Sequence, residues 1–263
     1  MALTAATQVV AADPSPVFLE FGPYRAVIGT CRASRDLALS LRASVFRNGV
    51  SDVDQFDALC LHGCVAKGTD AAKVAFRARL IASPETLADS YSGQHYDLSP
   101  LQRLQGPFLE LGRFCQSEGP PDVTALRLAW AALGVLVDRH DIQMMMGCSS
   151  FSGADAKAHS AELAFLRANH VGPAALRPKR LSPKAIDLPT DFASSKGLPQ
   201  LLRSYLGMGG WVSDHAVLDC DLNRLHLFTG LAIAAIPEPR KARLRALAQA
   251  AQTTPLDLAP AAP

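Results

Sequence analysis

Glu110 and Arg113 are the residues whose types and spacing most directly indicate chemistry. They lie three positions apart within residues 108–115, where the alternation of side chains predicts a β-strand. On a regular strand their side chains would point to opposite faces, but a bulge at Gly112 would bring both toward one cleft. A strand splayed there would also expose backbone N–H groups that can stabilise an oxyanion during acyl transfer. The alternative is a buried structural ion pair.

A second candidate group lies at residues 147–151, Gly-Cys-Ser-Ser-Phe, between a predicted strand and a predicted helix. This context is that of a nucleophile elbow, although the final glycine of that motif is missing. Asp155 and His159 lie four apart on the next helix and could complete a covalent mechanism. Hydrolase partners usually come from separate loops, so the alternative is a tight turn whose small side chains line a pocket.

Acidic and sulfur-containing residues form a third group. Asp54 and Asp57, together with His62, could bind a cationic amine, and the alternative is a solvated loop. Cys60, His62 and Cys64 alternate along one predicted strand. Spacing of i, i+2 and i+4 is not a usual zinc-ligand pattern, so we predict no metal site.

The elements that position these groups form a βαβ unit. After the strand at 108–115 the chain turns at a Gly-Pro-Pro sequence, and Asp122 caps a helix that ends near His140. A second apolar strand follows at 142–146. The N-terminus of the helix presents free backbone N–H groups that suit an anion.

The remaining pattern predicts one domain with two extensions. Ser34 is expected to cap a helix that ends at Asn48-Gly49, and 74–81 is expected to form a strand joined in a hairpin to the one before it. A final pair of strands is expected at 209–218 and 225–236. The predicted organisation is a mobile arm at 1–16, a domain at 17–236, and a basic helix with an Ala/Pro-rich tail at 237–263.

Composition limits the class of protein. The chain has 263 residues, of which 49% are hydrophobic, so a substantial core is expected and disorder is not. The net charge of +2 gives no reason to expect nucleic acid. No apolar run approaches the roughly 18 residues of a membrane span, so any membrane contact should be peripheral. The six cysteines lack a dense disulfide spacing, and the N-terminus lacks a signal-like pattern, so a cytoplasmic location with reduced thiols is expected.

Two local clusters are more basic than the whole. Such clusters are usually solvated faces, and the alternative is a surface that binds a partner. They consist of Arg177, Lys179, Arg180 and Lys184, and of Arg240, Lys241, Arg243 and Arg245.

Six stretches occur in an order that resembles one known family. They are Leu41-Arg42-Ala43-Ser44-Val45-Phe46, Asp54-Gln55-Phe56-Asp57-Ala58-Leu59-Cys60-Leu61-His62, Tyr96-Asp97-Leu98-Ser99-Pro100, Glu110-Leu111-Gly112-Arg113, Gly147-Cys148-Ser149-Ser150-Phe151 and Leu206-Gly207-Met208-Gly209-Gly210-Trp211-Val212. Together they resemble the ornithine lipid N-acyltransferases of the GNAT superfamily, often labelled haemolysin-like, over roughly residues 25–236. The Arg42–Phe46 and Glu110–Phe114 elements also resemble those of acyl-homoserine lactone synthases.

The resemblance implies an α/β (α+β) GNAT fold, with a mixed, mainly antiparallel, splayed sheet flanked by helices. It implies transfer of a 3-hydroxyacyl group from acyl carrier protein to the α-amine of ornithine, giving lyso-ornithine lipid. The acyl donor is carried on phosphopantetheine, and no further cofactor or metal is expected.

We assign candidate roles on this basis. Glu110 would position or deprotonate the amine, Arg113 would organise that carboxylate or bind the carboxylate of the acceptor, and the basic clusters would meet the acidic carrier protein. The candidate substrate-binding residues are Arg42, Phe46, Asp54, Asp57, His62, Gly147, Ser149, Asp155 and His159. The candidate donor-binding residues are Phe114, Cys115, Val123 and Thr124.

Two departures from the family pattern affect the donor side. The basic, glycine-containing stretch expected after Arg113 is here Ser117-Glu118-Gly119-Pro120-Pro121-Asp122-Val123-Thr124, without an arginine. Donor contacts would then depend on backbone N–H groups and Thr124. The family's Arg-Tyr-Arg-Val-Phe is likewise replaced by the sequence at Arg42–Phe46.

Alternative functions remain open at this point. A related branch acylates glutamine, and an acyl-homoserine lactone synthase would use S-adenosylmethionine as acceptor. A protein of another class, a non-catalytic module that binds acyl carrier protein or a membrane surface, would bind the donor without consuming it. A haemolytic pore is disfavoured, because the sequence has no spanning helix.

Overall fold

The computed structural model describes residues 15–251. Most of the expected N-terminal arm and the Ala/Pro-rich end of the chain therefore lie outside the described residues. The strands are β1 (Val17–Phe21), β2 (Tyr24–Gly29), β3 (Leu61–Lys67), β4 (Ala72–Ile81), β5 (Tyr96–Asp97), β6 (Phe108–Gln116), β7 (Met144–Ser152), β8 (Lys179–Arg180), β9 (Ala185–Asp187), β10 (Trp211–Val212), β11 (His215–Asp219) and β12 (Arg224–Ala232). The helices are α1 (Arg32–Arg47), α2 (Val123–Arg139), α3 (Ser160–Asn169), α4 (Gln200–Gly207) and α5 (Glu238–Ala251).

A mixed, mainly antiparallel sheet forms the centre of the fold, as predicted. Its strand order is β1-β2-β3-β4-β6-β7-β12-β11-β9, with β10 also paired to β12, while β5 and β8 form a separate small ladder. The pair β6 and β7 is parallel, and α2 connects the two strands as the predicted βαβ unit. Asp122 caps α2 as expected, because its side chain accepts a hydrogen bond from the N–H of Ala125.

The parallel ladder is short because β6 and β7 separate. Pairing runs only from Phe108–Met144 to Leu111–Gly147, and residues 112–116 of β6 have no partner on β7. A Cβ atom on Gly147 would lie 2.2 Å from the carbonyl oxygen of Leu111, so only glycine fits where the strands last touch. The splayed sheet that the family resemblance implied is therefore confirmed.

A bulge in β6 lies just beyond this point. Cys115 pairs with Ala75 and Gly112 pairs with Arg77, so two residues of β6 oppose one residue of β4. Arg113 is the first of these two residues and has a φ of 51°. The predicted bulge is present, but the residue with left-handed backbone geometry is Arg113 rather than Gly112.

Helices and loops cover the two faces of the sheet differently. On one face α2 and α5 pack on the β1–β7 half, and α3 and α4 pack on the β7–β12 half. On the opposite face α1 packs against β3 and β4, and residues 84–104 cover β6, β7 and β12. The separation of β6 from β7 thus opens the sheet between two covered faces.

Three local predictions are corrected. Ser34 does not cap α1; the helix begins at Arg32, and the Ser34 hydroxyl donates to the carbonyl of Cys31 within the first turn. The turn expected at 147–151 is instead part of β7, which continues to Ser152. The helix after residue 237 is not outside the domain, because Ala248 and Ala251 of α5 are buried in the same core as α2.

Two glycine substitutions test the close contact at the end of the parallel ladder. Gly147→Ala should lower the free energy of unfolding by about 2 to 3 kcal/mol, because its methyl group would overlap the Leu111 carbonyl. Gly134→Ala in α2 is the matched control; its methyl group meets open space, and alanine favours a helix by roughly 0.5 to 1 kcal/mol. Urea denaturation measures both values, and equal effects of the two substitutions would contradict the predicted contact.

Candidate active site in the split sheet

A cavity of about 350 Å³ fills the space where β6 and β7 separate. Its walls come from both sides of the sheet and from α1, α4, β11 and β12. Alternation along the strands assigns the wall residues to the two faces. Cys148 and His226 belong to the face covered by α1 and residues 84–104, whereas Ser149 and Thr229 belong to the α2 face. The cavity therefore passes through the sheet.

The two ends of the cavity differ chemically. We name the end on the α1 face the polar arm; its residues are Phe46, Tyr91, Arg113, Cys148, Asp219, Arg224 and His226. We name the end on the α2 face the apolar arm; its residues are Phe114, Ser149, Leu201, Leu202, Tyr205 and Thr229. In the apolar arm Phe114 stacks on Trp130 at 5.6 Å, and the Ser149 and Thr229 hydroxyls bond to each other at 2.9 Å.

Beside the polar arm lies a cluster of buried ion pairs that the sequence did not reveal. The side chain of Arg42 is fully buried and donates to Asp57 at 2.6 Å and to Asp52 at 3.0 Å. Arg113 donates to Asp52 at 3.0 Å and to Asp54 at 3.2 Å. Arg77 bonds to Asp54 as well. The hypothesis of a solvated acidic loop is therefore wrong.

This ion-pair cluster also changes the roles expected for Arg42, Asp54, Asp57 and His62. Burial alone would raise the pKa of Asp57, but hydrogen bonds from Arg42 and from a backbone N–H, with the charges of Arg42 and Arg77, lower it to about 2. His62 is buried, and its Nε2 lies 3.2 Å from the carbonyl oxygen of Asp57. These four residues do not line the cavity and lie behind its wall, whereas Phe46, Gly147 and Ser149 do line it.

Glu110 is placed differently from the prediction. Its carboxylate is 5% exposed and accepts hydrogen bonds from the backbone N–H groups of Ser92 at 2.7 Å and Tyr91 at 3.2 Å. It is not part of the cavity wall and forms no ion pair with Arg113. Glu110 therefore positions Tyr91, while the Arg113 guanidinium lies between the rings of Phe46 and Tyr91, at 5.7 and 5.2 Å.

Four polar-arm residues that sequence reasoning did not select are Tyr91, Asp219, Arg224 and His226. The Tyr91 hydroxyl donates to Asp219 at 3.3 Å. Asp219 and Arg224 are paired residues across the β11–β12 hairpin, yet Arg224 lies over the Phe46 ring and has no carboxylate partner in the described part of the chain. The turn that presents them, Asp219-Cys-Asp-Leu-Asn, was visible in the sequence, but their orientation into the cavity was not.

Asp155 and His159 are not placed to assist the covalent mechanism considered from the sequence. Asp155 accepts a hydrogen bond from the N–H of Lys157, and His159 donates to the carbonyl of Ser152, so both side chains serve local structure outside the cavity wall. Burial raises the pKa of the Cys148 thiol, which keeps it protonated at neutral pH. Cys148 therefore lines the cavity as a neutral side chain.

The donor candidates divide into two groups. Phe114 and Cys115 line the cavity, together with Gly119 and Pro121 of the loop before α2. Val123 and Thr124 do not line it; they form the first turn of α2, where N–H groups have no acceptor within the helix.

The basic clusters are largely neutralised by neighbours. Arg177 pairs with Asp214, Arg180 with Asp187 and Arg245 with Asp138. Fewer free cations thus remain for an acidic partner than the sequence indicated.

Two features are absent from residues 15–251. No cluster of three or more His, Cys, Asp or Glu side chains is arranged to hold a metal ion. None of the helices in this part of the chain combines the length and the apolar composition that crossing a bilayer requires.

The parallel βαβ unit, the bulge and the cleft define an acyltransferase domain of the GNAT class. The family model described as "Acetyltransferase (GNAT) domain" matches residues 36–130. An L-ornithine N(alpha)-acyltransferase from Rhodobacter capsulatus is 31% identical over 183 residues, covering 65% of this chain and 71% of that protein. One from Brucella abortus is 31% identical over 186 residues, covering 64% of this chain and 65% of that protein. The chain belongs to the L-ornithine N(alpha)-acyltransferase family.

The similarity to two solved structures is distant. An N-acyl amino acid synthase from uncultured soil microbes is 10% identical, with a TM-score of 0.43 over 87% of this chain and 98% of that chain. The acyl-homoserine lactone synthase LasI is 18% identical, with a TM-score of 0.36 over 54% of this chain and 78% of that chain. Both scores are below 0.5, so the family assignment depends on the sequence relatives.

Removal of one buried carboxylate tests the ion-pair cluster. Asp57→Asn should lower the free energy of unfolding by about 3 kcal/mol at neutral pH, because Arg42 would lose a charged partner in the interior. Asp36→Asn, which removes an exposed partner of Arg32 at 3.6 Å, should cost under about 0.5 kcal/mol.

The effect of Asp57→Asn should also depend on pH. The pKa of Asp57 is about 2 in the folded protein against an ordinary value of 3.8, so its stabilisation is present above the ordinary pKa and is lost as pH falls through about 2. Denaturation of the wild type and of Asp57→Asn between pH 7 and pH 2 should show the difference in their free energies of unfolding shrinking below about pH 4. A difference that stays constant over this range would contradict the assignment.

Proposed function

We propose that this protein transfers a 3-hydroxyacyl group from acyl carrier protein to the α-amine of ornithine, forming lyso-ornithine lipid. The observation that carries the proposal is the cavity itself. It joins an apolar arm to a polar arm that contains one unpaired cation, Arg224, and one anion, Asp219. The names of the curated relatives support ornithine as the acceptor.

The polar arm suits a basic amino acid. Arg224 offers a guanidinium to the α-carboxylate, a pairing that can be bidentate. Asp219 offers a carboxylate oxygen to the side-chain ammonium of ornithine. Because these two residues are neighbours across the β11–β12 hairpin and do not pair with each other, both charges are available to one small zwitterion. Glutamine has no cationic side chain to match Asp219, so the arrangement favours ornithine.

The apolar arm suits the acyl chain of the donor. Leu201, Leu202 and Tyr205 of α4 face Phe114 across the cleft. Next to this arm, the loop at Gly119 and Pro121 leads to the first turn of α2. Asp122 already binds the N–H of Ala125 there, so the N–H groups of Val123 and Thr124 are the ones that can bind the phosphate of phosphopantetheine. This geometry supports a donor that enters from the α2 face.

The reaction needs the thioester carbonyl to lie between the two arms. The neutral amine attacks the carbonyl carbon, a C–N bond forms, and the oxyanion can accept hydrogen bonds from N–H groups of β6 that β7 leaves unpaired. The C–S bond then breaks, and the carrier thiol leaves with the proton that the amine gave up. Glu110 and Arg113 contribute by fixing Tyr91 and the bulge.

A product assay tests the proposed reaction. Purified protein is incubated with 3-hydroxyacyl carrier protein, and ornithine, glutamine and S-adenosylmethionine are offered in parallel, with the same acyl group on coenzyme A as a second donor. Mass spectrometry should find N-acylated ornithine and free carrier thiol. Acylation of glutamine alone, or donor binding without any acylated amine, would contradict the proposal and favour the alternative acceptor or the binding module.

Asp219→Asn tests recognition of the ornithine side chain. The substitution keeps an oxygen for the turn N–H groups of Asp221 and Leu222 but removes the charge and the oxygen that accepts from the Tyr91 hydroxyl. We expect KM for ornithine to rise about 10-fold to 100-fold, as for loss of a charge-assisted hydrogen bond, with little change in any activity on glutamine.

Asp221→Asn in the same turn is the matched control. Its carboxylate is exposed and pairs with Arg47, so its substitution should leave KM for ornithine within about twofold. Equal losses for ornithine and glutamine in Asp219→Asn would show that Asp219 supports the fold of the site rather than selecting the acceptor.

A further inference from the structure

His226 lines the cavity, but it has no part in the acceptor contacts proposed above. It lies on β12, is 2% exposed, and forms part of the polar arm. Its ring packs edge-on against His95 at 4.8 Å and against Tyr96 at 5.7 Å. The ring is therefore held in one orientation beside the place where β6 and β7 separate.

The hydrogen bonds of Tyr96 determine the tautomer of His226. The Tyr96 hydroxyl lies 3.0 Å from the backbone carbonyl oxygen of His226 and 3.2 Å from its Nδ1. A phenol has one proton, and the carbonyl can only accept, so the Tyr96 proton goes to the carbonyl. Nδ1 must then carry the ring proton and donate it to the Tyr96 oxygen. The proton is thereby excluded from Nε2, which keeps a lone pair.

The Nε2 atom of His226 is buried and has no hydrogen-bond partner among the described residues. A buried acceptor without a donor is energetically costly, so such an atom on a residue that lines a cavity indicates a ligand that supplies an N–H or O–H group. In the reaction proposed above, the group with N–H bonds to offer is the attacking amine.

We propose that Nε2 of His226 accepts the proton of the attacking α-amine. This inference depends on the proposed N-acyl transfer. As the amine nitrogen bonds to the thioester carbon, its N–H proton moves to Nε2, giving an imidazolium. The C–S bond then breaks, and the imidazolium returns the proton to the departing sulfur, so the amide, the carrier thiol and neutral His226 are formed.

The surroundings of the ring keep it neutral but weakly basic, so it takes the proton only once C–N bond formation has made the amine N–H acidic. Burial, together with the neighbouring charges of His95 and Arg113, lowers the pKa of His226 to about 3, while Asp219 acts in the opposite direction. The ring is therefore neutral at physiological pH and always presents its lone pair. Other groups nearby are less suited, because Glu110 is bound by backbone N–H groups and the Cys148 thiol is protonated.

His226→Gln tests this role directly. Glutamine can place an amide oxygen near the position of Nε2 and accept a hydrogen bond, but it cannot take the proton. We expect kcat for ornithine acylation to fall at least about 100-fold, as for loss of a general base, with KM for ornithine within about threefold. His170→Gln, at the end of α3 and outside the cavity wall, is the matched control and should keep kcat within about twofold.

His226→Ala provides an independent readout. Added imidazole should restore part of the activity, and a series of substituted imidazoles should restore it in proportion to their basicity. A kcat of His226→Gln within threefold of the wild type would overturn the proposal. So would rescue that is the same for every imidazole, since that result indicates filling of space and not proton transfer.

Wild-type activity separates this inference from the proposed function. If the wild type acylates ornithine while His226→Gln is unaffected, only the role of His226 is lost. If the wild type acylates no amine, the proposed function fails and the inference fails with it. If another amine is acylated, the same comparison of variants applies to that amine.

Discussion

The separation of β6 from β7 after Leu111 and Gly147 is the constraint on which the rest of the structure depends. Before this point, two parallel strands satisfy each other's backbone groups. Beyond it, β6 has no partner on β7, and the cavity passes through the sheet between the two strands. The close contact at Gly147 and the bulge at Arg113 lie on the two sides of this point. Position 147 has no room for a Cβ atom, and Arg113 must adopt a left-handed backbone conformation.

The ion-pair cluster is the feature that maintains the bulge. Arg113 has a left-handed backbone, which is unfavourable for a residue with a side chain. Its guanidinium is bound by Asp52 and Asp54, and Asp52 is bound in turn by the buried Arg42. Buried charges are costly to desolvate, so such a cluster contributes more to a defined geometry than to net stability. Here that geometry is the wall of the polar arm.

The sequence was informative where function depends on local pattern. The alternation at 108–115, the Asp122 cap and the apolar run of α2 predicted the βαβ unit, and the spacing of Glu110 and Arg113 predicted a bulge. It was misleading where function depends on tertiary contacts. Asp57 looked solvated because Arg42 and Arg77, which bury it, are 15 and 20 positions away and carry no pairing signal.

The site residues likewise divide into those that local pattern reveals and those that tertiary contacts bring together. Phe46, Arg113, Phe114, Cys115, Gly147 and Ser149 were selected from the sequence and line the cavity. Tyr91, Asp219, Arg224 and His226 were not selected, because three of them lie on or beside the last hairpin and meet β6 only through the order of the strands. Asp155 and His159 were selected for their helical spacing. Because β7 continues to Ser152, there is no turn at 147–151 that would place these two residues beside the cavity.

A structure of the protein with ornithine and a non-cleavable 3-hydroxyacyl pantetheine analogue tests the central claim most directly. The account predicts the acyl chain beside Leu202 and Tyr205, with the carbonyl between β6 and β7. The ornithine carboxylate should lie on Arg224, its side-chain ammonium on Asp219 and its α-amine within hydrogen-bond distance of His226 Nε2. An acceptor bound outside the polar arm, or an acyl chain that does not enter the split between the strands, would contradict it.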